Sequence, residues 1–208
     1  MTDPNNDTAD IAWLRGLAEE GAKTPPHGGS ILCASGLIWG TASIAHWTII
    51  SGLLPVDPSG YGLVWGVALL VFFTTLIVLT RRLKAQGGTY TAANRAFGSV
   101  WSALGWGIFS LFTSLVLLDV GRTGAANMAE WSLVIPSFII AFYGMGWAVS
   151  ATVLRQRMLW VLAIGSFIAA PILALLSSST FQYLAYAAAL FLLMALPGYL
   201  LMRAAKRG

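Results

Sequence analysis

Six apolar stretches, each long enough to cross a bilayer, fill most of this chain, and none holds Asp, Glu, Lys or Arg in its core. A helix needs about 20 mainly apolar residues to cross a hydrocarbon layer of roughly 30 Å. The stretches are 31–53, 61–80, 98–118, 131–153, 158–176 and 181–202. Lipid offers the backbone no hydrogen bonds, so only helices and closed barrels cross it. A barrel strand alternates apolar and polar residues, and these runs do not. The expected fold is all-α: a polytopic membrane protein with six transmembrane helices in a bundle. A composition 57% hydrophobic and 10% charged belongs to that class.

The first stretch does not read as a cleaved signal peptide. Such a peptide has a basic start and an apolar run of about 7–15 residues. Here the start is acidic (Asp3, Asp7, Asp10), and the apolar run begins near residue 30 and is longer. Three parts are expected: a cytoplasmic segment over 1–29, the six-helix domain over 30–203, and a basic cytoplasmic tail over 204–208.

Charge orients the spans. Arg15, Lys23, Arg81, Arg82, Lys84, Arg95, Arg155, Arg157, Arg203, Lys206 and Arg207 all fall on one side, and Arg122 stands alone on the other. Cytoplasmic loops hold the Lys/Arg excess, so both termini are expected in the cytoplasm, as an even number of spans also requires. This asymmetry accounts for the net charge of +4 without a nucleic-acid partner. The basic rim favours anionic lipid headgroups. The outer loops, 54–60, 119–130 and 177–180, are too short for a folded domain.

Helices in lipid gain nothing hydrophobic by pairing and pack through small residues and hydrogen bonds. Gly36 and Gly40 form one GxxxG, and Gly62 and Gly66 another; these are the expected helix-packing positions, within the chain or in a homo-oligomer. Gly98, Ser102 and Gly105 offer a similar stripe, as do Ala141, Gly144 and Ala148. A short echo, Gly36-Leu-Ile-Trp-Gly, Gly62-Leu-Val-Trp-Gly and Gly98-Ser-Val-Trp-Ser, runs through the first half. Duplication gives rise to many transporters, but this composition yields such matches cheaply. Trp47, Trp65, Trp131, Trp101 and Trp160 fall at interfacial depths, where aromatic belts form. Trp39, Trp106 and Trp147 lie deeper and are expected to face other helices. Pro136, Pro171 and Pro197 interrupt the last three stretches, and each removes a backbone hydrogen bond.

The chain is poor in reactive groups. Its two histidines, His27 and His46, are nineteen residues apart. At about 1.5 Å per residue they stand nearly a bilayer apart and cannot share one metal or haem. His46 is the candidate polar site, read as an interfacial side chain that shares a hydrogen bond beside Trp47. A single cysteine, Cys33, excludes an intramolecular disulfide. No HExxH, P-loop or paired-acid motif occurs within the spans. No catalytic, cofactor-binding or metal-binding residue is assigned, and a non-enzymatic protein is expected.

The N-terminal segment has helical spacing at Ile11, Leu14, Leu17 and Ala18, an N-cap at Asp10, and an end at Gly21 and Pro25-Pro26. With Trp13 on its apolar side, it reads as an amphipathic helix on the inner leaflet. Trp13, Glu19 and Glu20 are its candidate docking residues for a cytoplasmic protein. The run Leu17-Ala-Glu-Glu-Gly, followed by Pro and Gly-Gly, resembles small uncharacterised integral membrane proteins of proteobacteria over the first 50 residues. The resemblance implies a bacterial inner (plasma) membrane and carries no catalytic residues. The preferred function is an accessory subunit or membrane-bound regulator of a partner protein. The alternatives are a small permease for an apolar or neutral solute, and a binder of a lipid or hydrophobic cofactor.

Topology reporters test the charge argument. Fusions after Asp57 and Ala125 should report the outside, and fusions after Gly88, Gln156 and Gly208 the inside. One reversed fusion breaks the assignment.

Overall fold

The computed structural model describes residues 28–55, 57, 60–85, 92–121 and 128–205. The expected interfacial helix, with Trp13, Glu19 and Glu20, lies outside these residues, as does most of the basic tail. Among the described residues there is no strand. The helices are α1 (Gly29–Ile50), α2 (Gly60–Ala85), α3 (Ala92–Gly121), α4 (Met128–Leu154), α5 (Arg157–Leu175) and α6 (Gln182–Ala205). Helices α2 to α6 are long and apolar enough to cross a membrane. In α1, Gly, Ser, Thr and His dilute the apolar residues over its 22 positions, and it falls short of that measure.

The helices extend beyond the apolar stretches 61–80 and 98–118 into the basic region between them. α2 continues through Arg81, Arg82 and Lys84 to Ala85, and α3 begins at Ala92. Cations in the last turn of α2 sit at the negative end of its dipole, which favours continuation.

Burial is inverted relative to a water-soluble helix. On α1 the buried positions include Gly29, Ser35, Gly36, Gly40, Ser43 and His46, while Leu37 and Ile50 are exposed. A helix in water buries its large apolar face. A helix in hydrocarbon has no reason to, and packs by its small and polar face. Leu63 and Leu70 on α2, 71% and 70% exposed, follow the same rule.

The core is built from α1, α4, α5 and α6, with Ile140, Trp147, Ala163, Leu173, Leu190 and Met194 at its centre. α4 and α5 form a tight antiparallel pair. Their connection ends α4 with two bonds, Gln156 N–H to Ala151 O and Arg155 N–H to Thr152 O. This is the pattern of a left-handed helix stop. Arg155 adopts it with φ of 51° where glycine is usual, at a cost of about 1 kcal/mol or more. α2 packs chiefly on α1, and α3 chiefly on α4. Only 6% of the apolar stretch of either is buried, against 44% for α4 and α6.

α1 and α6 approach backbone to backbone. A Cβ on Gly36 would strike the backbone of Ala195, and one on Gly198 would strike the backbone of Cys33. Gly40 lies against the Phe191 ring. Gly62 and Gly66 carry the same motif on α2, yet no other described element lies within 4 Å of a Cβ built there.

Two substitutions separate these cases. Gly36→Ala forces a methyl into the Ala195 backbone and should destabilise by about 1–3 kcal/mol. Gly62→Ala meets open space and should be neutral or stabilising by up to about 1 kcal/mol. Thermal unfolding in one detergent measures both, and equal losses would contradict the packing described.

Candidate functional site

Three polar clusters lie within the helices. The first is at the C-terminal end of α1. The buried His46 ring stacks between Tyr61 of α2, with centroids 4.5 Å apart, and Tyr183 of α6, at 3.8 Å. Trp65 Nε1 donates to His46 Nδ1 at 3.1 Å. One helical turn along α2 from Tyr61, Trp65 also stacks on Trp39 of α1 at 6.1 Å. The tryptophans of the first two echoed motifs are therefore partners in one stack. His46 finds its partner on α2 rather than in the adjacent Trp47. The Trp47 ring packs near Phe181, and its Nε1 is buried without a hydrogen-bond partner among the described residues.

The second cluster joins α4, α5 and α6. Pro197 has no N–H to offer the carbonyl four residues earlier, that of Leu193. The helix widens locally into a π-turn over Phe191–Ala195, and the Leu196 N–H reaches back five residues to Phe191 O. Trp147 of α4 supplies the missing donor: its Nε1 donates to Leu193 O at 2.9 Å. Gln182 ties helices in a similar way at the N-terminal end of α6. Its Nε2 donates to Leu133 O of α4 and to Leu173 O of α5, the latter at 3.0 Å. Leu173 stands in the last turn of α5, where carbonyls lack helical donors. Ser137 of α4 donates to Ala170 O of α5 at 2.7 Å, beside Pro171. The proline-bearing helices are thus tied to one another by side-chain donors, and Leu193 O, the carbonyl that Pro197 frees, receives one of them.

The third cluster lies between α3 and α4. Trp101 packs edge-on to Trp147 at 4.9 Å and lies 6.0 Å from Tyr143. The Trp101 Nε1 and the Ser150 Oγ are buried without hydrogen-bond partners among the described residues. The other buried serines of the spans, Ser35, Ser43 and Ser166, each donate to the carbonyl four residues back. Trp106, expected to face a neighbouring helix, is 67% exposed on α3 and contacts only Phe109 of its own helix among the ring pairs.

Of the sequence candidates, the structure brings His46 into a cluster and places Gly36 and Gly40 in the α1–α6 contact. Gly62 and Gly66 face open space. Among the described residues no three of His, Cys, Asp and Glu gather where they could hold a metal ion. Sequence reasoning did not identify Tyr61, Trp65, Tyr183, Gln182 and Trp147 as partners in these clusters. Gln182 carried a signal, as the one amide in the last two spans; the aromatic partners carried none. No protein-family model, curated protein or solved structure matches this chain.

Side-chain deletions separate the bonded groups from the orphaned one. Gln182→Leu leaves two carbonyls without their donor and should destabilise by about 1–2 kcal/mol. Ser150→Ala removes a buried hydroxyl that makes no bond, and should leave stability unchanged or raise it by about 1 kcal/mol. Thermal unfolding in detergent reads both. A clear loss with Ser150→Ala would mean that the hydroxyl is bonded in the membrane.

Proposed function

We propose that the chain is a six-span protein of a bacterial inner membrane with both ends in the cytoplasm. In it, a self-contained helical core presents α2 and α3 to another membrane protein. The chain acts as an accessory subunit or regulator, without chemistry of its own. The single observation that carries this reading is the contrast in burial. In two span-length helices only 6% of the apolar stretch is buried among the described residues, with Gly62, Gly66, Gly98 and Gly105 open, while the other helices close around each other. Small-residue faces of this kind let a second helix approach closely.

The six-span topology is supported by the course of α1. Gly29 lies beside Met202 and Gly198, Gly36 beside Ala195, Gly40 beside Phe191, and His46 beside Tyr183. α1 therefore runs antiparallel to α6 along its length, and α6 is long and apolar enough to span. The Lys/Arg distribution supports the orientation. The non-enzymatic reading draws support from the use of the buried polar groups. Gln182, Ser137 and Trp147 bind helices to one another and line no visible series of ionisable groups, which pumps and proton pathways require.

The docking surface on the cytoplasmic side is assigned to Trp13, Glu19 and Glu20, and the one within the membrane to the glycine faces of α2 and α3. The test is cross-linking in native membranes, followed by purification and mass spectrometry. The expected result is a defined complex that Gly62→Leu with Gly66→Leu disperses and that Glu19→Lys with Glu20→Lys weakens, while the purified variants keep wild-type unfolding temperatures. The permease alternative predicts a monomer whose phenotype is lost by changes beside Pro136, Pro171 and Pro197. That pattern, with the glycine variants silent, would overturn the partner reading.

A further inference from the structure

We infer that His46 is a proton-operated latch that holds α2 against α1. The inference concerns one chain and stands apart from any partner.

An indole nitrogen only donates, so the bond from Trp65 Nε1 requires a lone pair on His46 Nδ1. The ring is then the neutral tautomer with its proton on Nε2. Protonation places a hydrogen on Nδ1 as well. Two N–H groups then point at each other across 3.1 Å, and the bond between α1 and α2 is replaced by a repulsion.

α2 is the element that responds. It packs chiefly on α1, through His46 and through the rings of Trp39, Trp65 and Phe72. The other helix touching the latch, α6, is fixed to α1 by backbone contact along its length. Among the described residues, the titratable side chains that face the imidazole are Tyr61 from α2 and Tyr183 from α6. α1 itself turns none toward it, and Asp57, in the loop four residues before Tyr61, is the acid closest in sequence. The imidazole is the basic group among them, and acid places the new charge on it. An imidazolium between two tyrosine faces is held by cation–π attraction. Tyr61 therefore keeps its stack while Trp65, one turn deeper, loses its bond. The expected motion is a pivot of α2 about Tyr61 that carries Trp65 away from α1. His46 is four residues from the end of α1 at Ile50, so a proton reaches it from the outer side under the proposed topology.

The test uses the full chain in lipid nanodiscs. The sequence has two histidines, so His27→Gln leaves one, and its ring nitrogens can be followed by ¹⁵N NMR during acidification. The α1–α2 separation is read in parallel from nitroxides placed by Leu37→Cys and Leu70→Cys in a Cys33→Ala background; both positions are exposed. At neutral pH the unprotonated nitrogen should be Nδ1. As acid converts it to N–H, the separation should widen with the same midpoint. His46→Gln presents an amide oxygen to Trp65 and does not titrate, so its separation should stay at the neutral value throughout. Should that variant not fold, Trp65→Phe serves: it removes the donor and should show the wide separation already at neutral pH, with no further change in acid. The latch is overturned if Nε2 is the unprotonated nitrogen. It is equally overturned if the ring titrates without a change in separation, if it does not titrate while the protein stays folded, or if His46→Gln widens in acid as the parent does.

Discussion

The contact between α1 and the middle of α6 is the constraint on which the rest of the bundle depends. Two helices separated by lipid tails gain nothing from hiding leucine, so they must come close enough for backbones to touch. Gly36 permits that on one side, and Ala195 and Gly198 permit it on the other. The same stretch of α6 is a π-turn, followed at once by a proline that cannot donate. A carbonyl without a donor in hydrocarbon costs several kcal/mol. Trp147 answers that cost by donating to Leu193 O, and in doing so ties α4 to the same place. Close approach, π-turn, proline and indole form one unit in which each part requires the others.

From that unit the layout follows outward. α5 joins through its tight turn with α4 and through Ser137 and Gln182. α2 and α3 are attached at the margins by aromatic contacts: Trp65 with Trp39 and His46 of α1 and with Tyr183 of α6, and Trp101 with Trp147 and Tyr143 of α4. Helices held on one side are the ones free to bind another protein or to move. The proposed partner surface and the proposed latch both fall on α2 for this physical reason.

Much of the fold was legible in the sequence because bilayer thickness imposes a length that composition reveals directly. Helix existence and approximate ends followed from apolar runs alone. The dilution of α1 was visible as Gly, Ser and His, but its meaning was not, because a small polar face becomes favourable only beside a matching face on α6. The two GxxxG motifs show the same limit. Gly36/Gly40 and Gly62/Gly66 are indistinguishable as sequence, and only tertiary placement gives the first pair a neighbour. Trp106 was expected inside because of its depth, yet depth along a helix says nothing about the direction a side chain faces. His46 was singled out as the polar group of α1, while its partner, nineteen residues away on another helix, depended on how α1 and α2 pair.

The most direct test of this account is the ¹H and ¹⁵N chemical shift of the Trp147 indole N–H, read by ¹⁵N-tryptophan NMR in nanodiscs and compared with Trp106. Trp106, on the outer face of α3, serves as the unbonded reference, and Trp147→Phe assigns the signal. Trp147 should show the downfield shift of a hydrogen-bonded indole in the native chain. In Pro197→Ala the restored backbone N–H competes for Leu193 O, and the Trp147 signal should move toward the unbonded position of Trp106. A Trp147 signal that already lies at the Trp106 position, or one that is unchanged by Pro197→Ala, would contradict the claim that the proline, the π-turn and the indole form one unit.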